Sequence, residues 1–426
     1  MKNRVVVTGL GVCAPNGVGL EAFTESLLEG HSGIRFHQEL KELKFSCQIA
    51  GKPNFSADHI NLYFNPLQLR GLNASGIVYG VMAGMDAWKD AGLTIASKET
   101  PDWDSGIIFG TGILGVDKFR ESIHLIDAGN TRRLGSTSVM QTMASGISAY
   151  LGGILGCGNQ VTTNSSACTT GTEGILMAYE RIMAGKATRM LTGSCSDSGP
   201  YVWGGFDAMR ILPSTYNQEP ERASRPMSAS AAGFVPGSGA GALVLETLDS
   251  ALERGAHIYG EVLGGAVNSG GQRGEGTMTA PNSEAVQRCI VAAVENAQIQ
   301  KGEIDVINGH LTATGKDAVE IQNWSVALER SGTEFPYVNS FKGLMGHCLA
   351  AAGSLECVAA LLQFREGAVF GNKNCEDLHP EILEVVDAAK IPRKTMAHSP
   401  EIIAKASFGF GDVNACVIFK AYKNEN

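Results

Sequence analysis

Cys168 is the residue with the clearest capacity for chemistry, and it lies in the segment VTTNSSACTTGTEGILMAY. An apolar strand pattern precedes it and a helical pattern follows it, which predicts a strand-to-helix turn. Unpaired N–H groups and the helix dipole at such a turn favour a thiolate nucleophile. Read alone, the segment fits a packed core cysteine equally well.

Two further segments carry histidine in a setting like that of Cys168. In INGHLTATGKDAVEIQ, a strand pattern ends just before His310, and in NSFKGLMGHCLAAAGSLE, Lys342 and His347 share a Gly-rich turn before a helix. A lone histidine is more often structural than catalytic. Functional groups gather where the strands of open α/β sheets end, so these four residues together indicate one site.

The elements that would position this site alternate along the chain. Short β-branched runs at 4–8, 106–109, 161–164, 190–192 and 306–308 predict strands, and helical spacing at 171–183 and 354–365 predicts helices. The segments that begin at Asn164 and Asn339 repeat one plan of strand, turn and Gly-terminated helix. The repeat alone does not establish a duplication, but it agrees with two related halves, residues 1–250 and 251–426, which we expect to be tightly packed in an α/β protein.

Composition excludes several other classes of protein. The net charge of −9 argues against broad nucleic-acid binding, and no apolar run is long enough to span a membrane. The ten cysteines form no CxxC pair and no zinc-ligand spacing with histidine. The first residues lack the apolar core of a signal peptide, so we expect a cytoplasmic protein without a disulfide framework.

The combination of these segments resembles the β-ketoacyl-[acyl carrier protein] synthases of the thiolase superfamily, especially the elongating type II enzymes. The resemblance runs from VVVTGLGVCAPNGVG to SFGFGDVNACVIFK and includes SSACTTG, GHLTATGKD and FKGLMGHCLAAAG. It implies a five-layered αβαβα fold of two thiolase-like halves. It also implies decarboxylative Claisen condensation of an acyl thioester with malonyl carrier protein, in fatty acid or polyketide and polyene elongation.

The resemblance also implies roles for individual residues. Cys168 would carry the acyl chain, and His310 and His347 would bind the malonyl thioester and stabilise its enolate. Lys342 would position groups around the histidines, in contact with Glu320.

Further residues would support these groups. Glu356 would complete the polar network and could help to hold a structural monovalent cation. Phe408 would act as a gate and share the oxyanion hole with Cys168. Thr312 and Thr314 would bind the phosphopantetheine arm of the carrier.

No cofactor and no catalytic metal are expected. The expected partners are acyl carrier protein and a second ketosynthase-like chain, identical or paralogous. Ile113 and Ser138 would shape the acyl pocket, and Arg132, Arg133 and Arg210 would dock the acidic carrier.

Several positions depart from the usual family pattern. Leu311 and Asp412 stand where glycine is usual, and MSASAAGF and GSGAG lack acidic or other charged residues found in relatives. They suggest a specialised branch of the family.

Three alternatives to a condensing enzyme remain open at this point. A non-catalytic chain-length-factor-like partner would usually lack the nucleophile, and this chain has one. A thiolase would need a second cysteine as base near its C-terminus, and Cys416 lies in a strand pattern instead. A cysteine hydrolase would leave His347 and Lys342 without a role.

Overall fold

Strands and helices alternate through residues 4–423, the part of the chain that the computed structural model describes. The strands are β1 Val5–Ala14, β2 Gly17–Val18, β3 Ile34–Phe36, β4 Ile49–Gly51, β5 Ser105–Thr111, β6 Val161–Thr162, β7 Arg189–Ser196, β8 Gly239–Thr247, β9 Gly260–Ser269, β10 Val306–Asn308, β11 Tyr337–Asn339, β12 Ala368–Val369, β13 Met396–Ala397, β14 Ile402–Gly409 and β15 Val413–Lys420.

The α-helices are α1 Leu20–Glu29, α2 Gln38–Glu42, α3 Ala57–Ile60, α4 Pro66–Leu69, α5 Ser75–Asp90, α6 Val116–Asp127, α7 Ser138–Thr142, α8 Gly146–Leu155, α9 Thr170–Met183, α10 Pro200–Ala208, α11 Leu248–Glu253, α12 Ser283–Asn296, α13 Asp317–Leu328, α14 Lys342–Met345, α15 Ala352–Glu366 and α16 Pro380–Leu383. Of the helices between residues 4 and 423, none combines the length and apolarity that crossing a bilayer requires.

Two five-stranded sheets with the same plan join edge to edge. The order is β6-β5-β7-β8-β1 in the first half and β11-β10-β14-β15-β9 in the second. In each half the first three strands run parallel and the last two pair antiparallel. β1 and β9 pair antiparallel where the halves meet. This matched order shows that the fold is a duplication, as the sequence predicted.

Helices form three layers around these strands. α9 and α15 contact each other and strands of both halves, whereas α5 and α8 cover the first sheet and α12 packs on the second, beside α13. The order is therefore αβαβα, in agreement with the predicted fold. A strand that helices cover on both faces is apolar along its whole length. β1 is such a strand, since every one of its residues is buried.

The two central helices approach each other through glycine. A Cβ at Gly171 would lie 2.3 Å from the backbone nitrogen of Ser354, and one at Gly353 would lie 2.7 Å from that of Thr172. Small residues therefore bring the first turns of α9 and α15 into backbone contact. Because Cys168 precedes α9 and His347 precedes α15, this contact also brings the two segments together.

Candidate active site

Cys168 lies in a tight turn at the start of the central helix α9. The segment Ala167–Thr169 forms a 3₁₀ turn, and α9 begins at Thr170. Ala167 has a φ of +50°, a conformation that a residue with a side chain adopts only at a cost in strain. Thr170 fixes the turn, since its hydroxyl donates to the Ala167 carbonyl at 2.6 Å and accepts from the Ser166 amide at 2.9 Å. The turn leaves the Cys168 side chain half-buried.

His310 lies in the loop after β10, and a buried carboxylate holds its backbone. Glu320 accepts from the backbone N–H groups of His310 and Leu311, both at 2.7 Å. Burial, ahead of all other effects, raises the pKa of Glu320 to about 7, and the two N–H donors oppose that rise. Glu320 therefore positions the histidine loop.

The structure brings the nucleophile and both histidines together. The Cys168 sulfur and one ring nitrogen from each of His310 and His347 lie within 4.8 Å of one another. The two imidazole rings meet edge to face, with centroids 5.3 Å apart. Cys168 and His310 are more than 140 residues apart in the sequence, and His310 and His347 are 37 residues apart. The fold thus brings three distant segments to one point.

A buried ion-pair network lies beside this cluster. Lys342 donates to one carboxylate oxygen of Glu356, and Lys405 lies 2.9 Å from the other. All three side chains are at most 1% exposed. The expected contact of Lys342 with Glu320 was wrong, because the Glu320 carboxylate is occupied by the backbone of the histidine loop. Lys405 was missed, since it lies in an apolar strand pattern that gave no sign of a buried charge.

Both cavity histidines, His310 and His347, are held in the neutral form. Burial first, and then the charges of Lys342 and Lys405, lower the pKa of each imidazole well below its usual value, with His347 adding to the effect on His310. The Leu349 N–H donates to Nδ1 of His347 at 3.2 Å. A neutral ring that accepts at Nδ1 carries its proton on Nε2. His347 is therefore ready to donate a hydrogen bond from Nε2.

The Cys168 thiol is protonated at neutral pH, contrary to the thiolate that the sequence predicted. Burial raises its pKa to about 11, against the lowering effects of a backbone hydrogen bond from Phe410 and the charge of Lys342. Loss of solvation outweighs the helix N-terminus here, because desolvation acts on the whole thiolate charge. For this sulfur to act as a nucleophile, its proton would have to pass to a base such as a neutral imidazole.

Phe410, rather than Phe408, supplies the second backbone N–H at the sulfur. The Cys168 thiol is in hydrogen-bonding range of the Phe410 backbone and of its own N–H. The predicted assignment to Phe408 is corrected, because Phe408 stays within β14, opposite Asn414 of β15. Its ring packs 6.1 Å from that of His310. In the pattern SFGFG, either phenylalanine could supply this N–H. Because β14 ends at Gly409, Phe408 lies within the strand and Phe410 lies beyond it.

A cavity of about 290 Å³ opens at this cluster. Its lining includes Cys168, His310 and His347 and also Thr312 and Thr314, whose hydroxyls lie 3.1 Å apart. Further lining residues were not predicted from the sequence, and most are apolar, among them Phe206, Met209, Ile211, Phe234, Leu349 and Phe410. Phe410 occurs in SFGFGDVNACVIFK, a segment that carries the family resemblance, so only its orientation was missing from the sequence.

Other predicted site residues lie outside this cavity. Ile113 is 51% exposed, and Ser138 is buried in α7 with its hydroxyl bonded to the Leu134 carbonyl. Neither lines the cavity at Cys168, so their part in an acyl pocket stays a prediction. Arg132, Arg133 and Arg210 are exposed. Arg210 follows Met209, which lines the cavity, whereas the other two lie in a separate 3₁₀ turn.

The unusual residues are accommodated by local contacts. Leu311 has a φ of +22° and places its side chain in the core of the second half. Asp412 has a φ of +60° and is fully buried. Its carboxylate accepts from the backbone N–H groups of Gln272 at 2.9 Å and Asn282 at 2.8 Å. Asp412 thereby fixes the loop from 270 to 282, which contributes Glu275 and other residues to the cavity wall.

In the segment MSASAAGF, serine side chains and backbone hold a carboxylate on a neighbouring loop, that of Asp377. The Ser228 hydroxyl donates to Asp377, and the Ser230 N–H donates to it at 2.9 Å. The buried Arg225 guanidinium pairs with the same carboxylate at 2.9 Å. These contacts fix the segment against the neighbouring loop.

Comparison with known proteins identifies the family of this chain. Residues 2–251 match the family model for the beta-ketoacyl synthase N-terminal domain, and residues 259–376 match that for the C-terminal domain. The chain belongs to the β-ketoacyl synthase family. This family member is 34% identical over 429 residues to 3-oxoacyl-[acyl-carrier-protein] synthase I, chloroplastic, of Arabidopsis thaliana, an alignment that covers 99% of the chain and 87% of the relative.

Two solved structures resemble this β-ketoacyl synthase over its whole length. One is a type II polyketide synthase acyl-carrier protein in complex with its ketosynthase bound to the hexaketide, and the other is the ishigamide ketosynthase/chain length factor. Each matched chain has a TM-score of 0.87 and 26% identity, with 99% of this synthase and 100% of that chain covered.

Proposed function

We propose that this chain is a condensing acyltransferase that joins an acyl group on Cys168 to a malonyl unit carried by acyl carrier protein, with loss of CO2. The observation that carries the proposal is the convergence of one thiol and two neutral imidazoles in the wall of a single cavity. A buried ion-pair network, rather than a free carboxylate, lies behind them. A free carboxylate at the reacting atoms would repel the enolate.

In the first half-reaction the acyl chain moves to Cys168. The sulfur attacks the acyl thioester carbonyl, its proton passes to a neutral base, and the carrier thiol leaves with a proton. Charge on the thioester oxygen is stabilised by the N–H groups of Cys168 and Phe410, which already face the sulfur. The product is an acyl thioester on the enzyme.

In the second half-reaction the malonyl group becomes the nucleophile. The bond to CO2 breaks, and its electrons form an enolate whose oxygen accepts hydrogen bonds from the imidazoles. The Nε2–H of His347 suits this task, since its Nδ1 is already occupied. The enolate carbon then attacks the acyl carbonyl, and the tetrahedral intermediate collapses with Cys168 as leaving group. The departing sulfur takes up one proton from solvent and returns to the thiol, so the condensation consumes one proton and involves no change of oxidation state.

Sulfur and imidazole are also ligands for zinc, so the same three side chains could serve either zinc binding or acyl transfer. A metal on the Cys168 sulfur would occupy the electrons that acylation uses. We therefore assign the three side chains to acyl transfer. The thiolase alternative is weaker, because Cys416 is fully buried in β15 and does not line the cavity.

The proposed partners are acyl carrier protein and a second ketosynthase-like chain. Arg132, Arg133 and Arg210 are exposed cations that suit an acidic carrier and its phosphate. Edge strand β6 and exposed apolar side chains on α6, including Phe119 and Ile126, suit a face that a second chain covers. We place the protein in the cytoplasm, because its ten cysteines are all free.

The experiment incubates the purified protein with a panel of acyl carrier substrates and malonyl carrier protein, and mass spectrometry follows loading and extension. We expect loading on Cys168, its loss in Cys168→Ser, and normal loading in the matched control Cys157→Ser, since Cys157 is also half-buried but lies outside the cavity. His310→Ala and His347→Ala should still load but lose malonyl decarboxylation, by about 100-fold or more. Failure of every thioester to load would contradict the proposal.

A further inference from the structure

Lys405 places a buried ammonium among oxygen atoms next to the active site. Its side chain is fully buried in β14, and Nζ lies 2.9 Å from Oε2 of Glu356 and 3.1 Å from the Ser407 hydroxyl. Nζ also donates to the backbone carbonyl of Ala406. The contact of Nζ with Glu356 is an ion pair without hydrogen-bond geometry. Oε2 of Glu356 therefore has no hydrogen-bond donor among the described residues.

This set of oxygens is the kind that a hard cation would select. A carboxylate, a backbone carbonyl and a hydroxyl are oxygen ligands typical of monovalent and divalent hard cations. The family resemblance led us to expect a structural monovalent cation held with the help of Glu356. The Glu356 carboxylate does not fit that role here, because Lys342 takes one oxygen and Lys405 lies against the other.

We propose that the ammonium of Lys405 replaces a structural monovalent cation in this protein. The net charge of the network is the same with a bound cation as with the Lys405 ammonium. In both arrangements the Glu356 carboxylate faces Lys342 and one further positive charge. A second cation at Glu356 would be repelled by Lys405 at short range. The protein is therefore independent of sodium and potassium at this position.

The tethered charge also connects two catalytic segments. The Ser407 hydroxyl that binds Lys405 lies 2.9 Å from the Thr172 hydroxyl, in the first turn of α9 after Cys168. Ser407 is followed by Phe408, which packs against His310. The ammonium thus fixes β14 against the nucleophile helix. Its charge is also among the causes that keep both histidines neutral, after burial and Lys342.

The first arm of the test uses the wild-type protein. Melting temperatures are measured in sodium, potassium, rubidium and choline chloride at equal ionic strength. A cation bound at 100 times its Kd would raise the ratio of folded to unfolded protein about 100-fold, so binding would be visible as a shift. We expect no difference between the salts. A melting temperature that rises in potassium or sodium but not in choline overturns the proposal.

The second arm uses Lys405→Ala crystals soaked in rubidium, with anomalous scattering as the readout. We expect a rubidium peak beside Glu356 in the variant and none in the wild type. Ethylammonium should raise the melting temperature of the variant and leave the wild type unchanged. The matched control is Lys118→Ala, which removes another buried ammonium, 3.1 Å from Glu121, and should gain nothing from ethylammonium.

Either of two results refutes the proposal: a rubidium peak beside Glu356 in the wild type, or a folded Lys405→Ala protein that binds neither rubidium nor ethylammonium. If the variant does not fold, the wild-type arm still decides. These readouts do not depend on condensation activity, so they separate this proposal from the proposed function.

Discussion

Glu356 pairs with two buried lysines, so substitutions on the two sides of this network should have unequal effects. Lys342→Met leaves the Glu356 carboxylate paired with Lys405, and the buried charges still cancel. Glu356→Gln instead leaves two ammonium groups in the protein interior with no carboxylate between them. We therefore expect the glutamate substitution to be much more destabilising than the lysine substitution.

The size of the difference follows from the burial of the three side chains, which are at most 1% exposed. Removing one partner of a buried ion pair, so that the other charge is uncompensated, lowers the free energy of unfolding by about 3–5 kcal/mol. We expect the loss for Glu356→Gln to lie in or above that range. Lys342→Met loses a charged hydrogen bond, at about 1–3 kcal/mol. We therefore expect a gap of about 2 kcal/mol or more.

Melting temperature is the assay. If the 426 residues unfold in one transition, the entropy of unfolding is about 0.9 kcal/mol per degree, and the gap corresponds to about 2 °C or more.

Glu246→Gln is the matched control, since Glu246 is also fully buried but its partner Arg254 is 22% exposed and can turn to solvent. A Lys342→Met protein that melts at or below the temperature of Glu356→Gln would refute the reasoning.

Two further predictions concern the nucleophile and the cavity wall. Burial raises the pKa of Cys168 to about 11, so only about one thiol in 1,000 is ionised at pH 8. The rate of alkylation by iodoacetamide should therefore rise about tenfold per pH unit from about pH 7 to 9. A rate that levels off below about pH 9 would show that the thiol has a lower pKa. Asp412→Gly suits the φ of +60° but removes the acceptor for Gln272 and Asn282, so hydrogen exchange in the loop from 270 to 282 should quicken about tenfold or more. The control Asp305→Gly, which removes the acceptor for Glu401 and Ile402, should leave that loop unchanged, and equal exchange in Asp412→Gly and the wild type would contradict the assigned role.

Local sequence patterns were sufficient for most of the secondary structure around the site. The strand predicted at 306–308 is observed as Val306–Asn308, and the helix predicted at 171–183 is observed as Thr170–Met183. The strand predicted at 161–164 is shorter, since Val161–Thr162 is a sheet edge and the chain then turns toward Cys168. Apolar periodicity is a local property, so it can be read without the fold.

The partners of charged groups could not be read in this way. Lys342 pairs with Glu356 instead of Glu320, and Lys405 joins them from a strand whose neighbours are apolar. Phe410 faces the sulfur where Phe408 was expected. Each of these depends on which side chains meet across the contact of α9, α15 and β14, and spacing along the chain does not determine that.

The sequence by itself determined the family, the duplicated α/β fold and the residue types of the nucleophile and its two histidines, because these are carried by short segments. The tertiary structure alone decided the protonation of the site. Burial raises the pKa of Cys168 and lowers that of both histidines. A pKa depends on the solvent and charges around a group in three dimensions, and those surroundings exist only after distant segments have packed together.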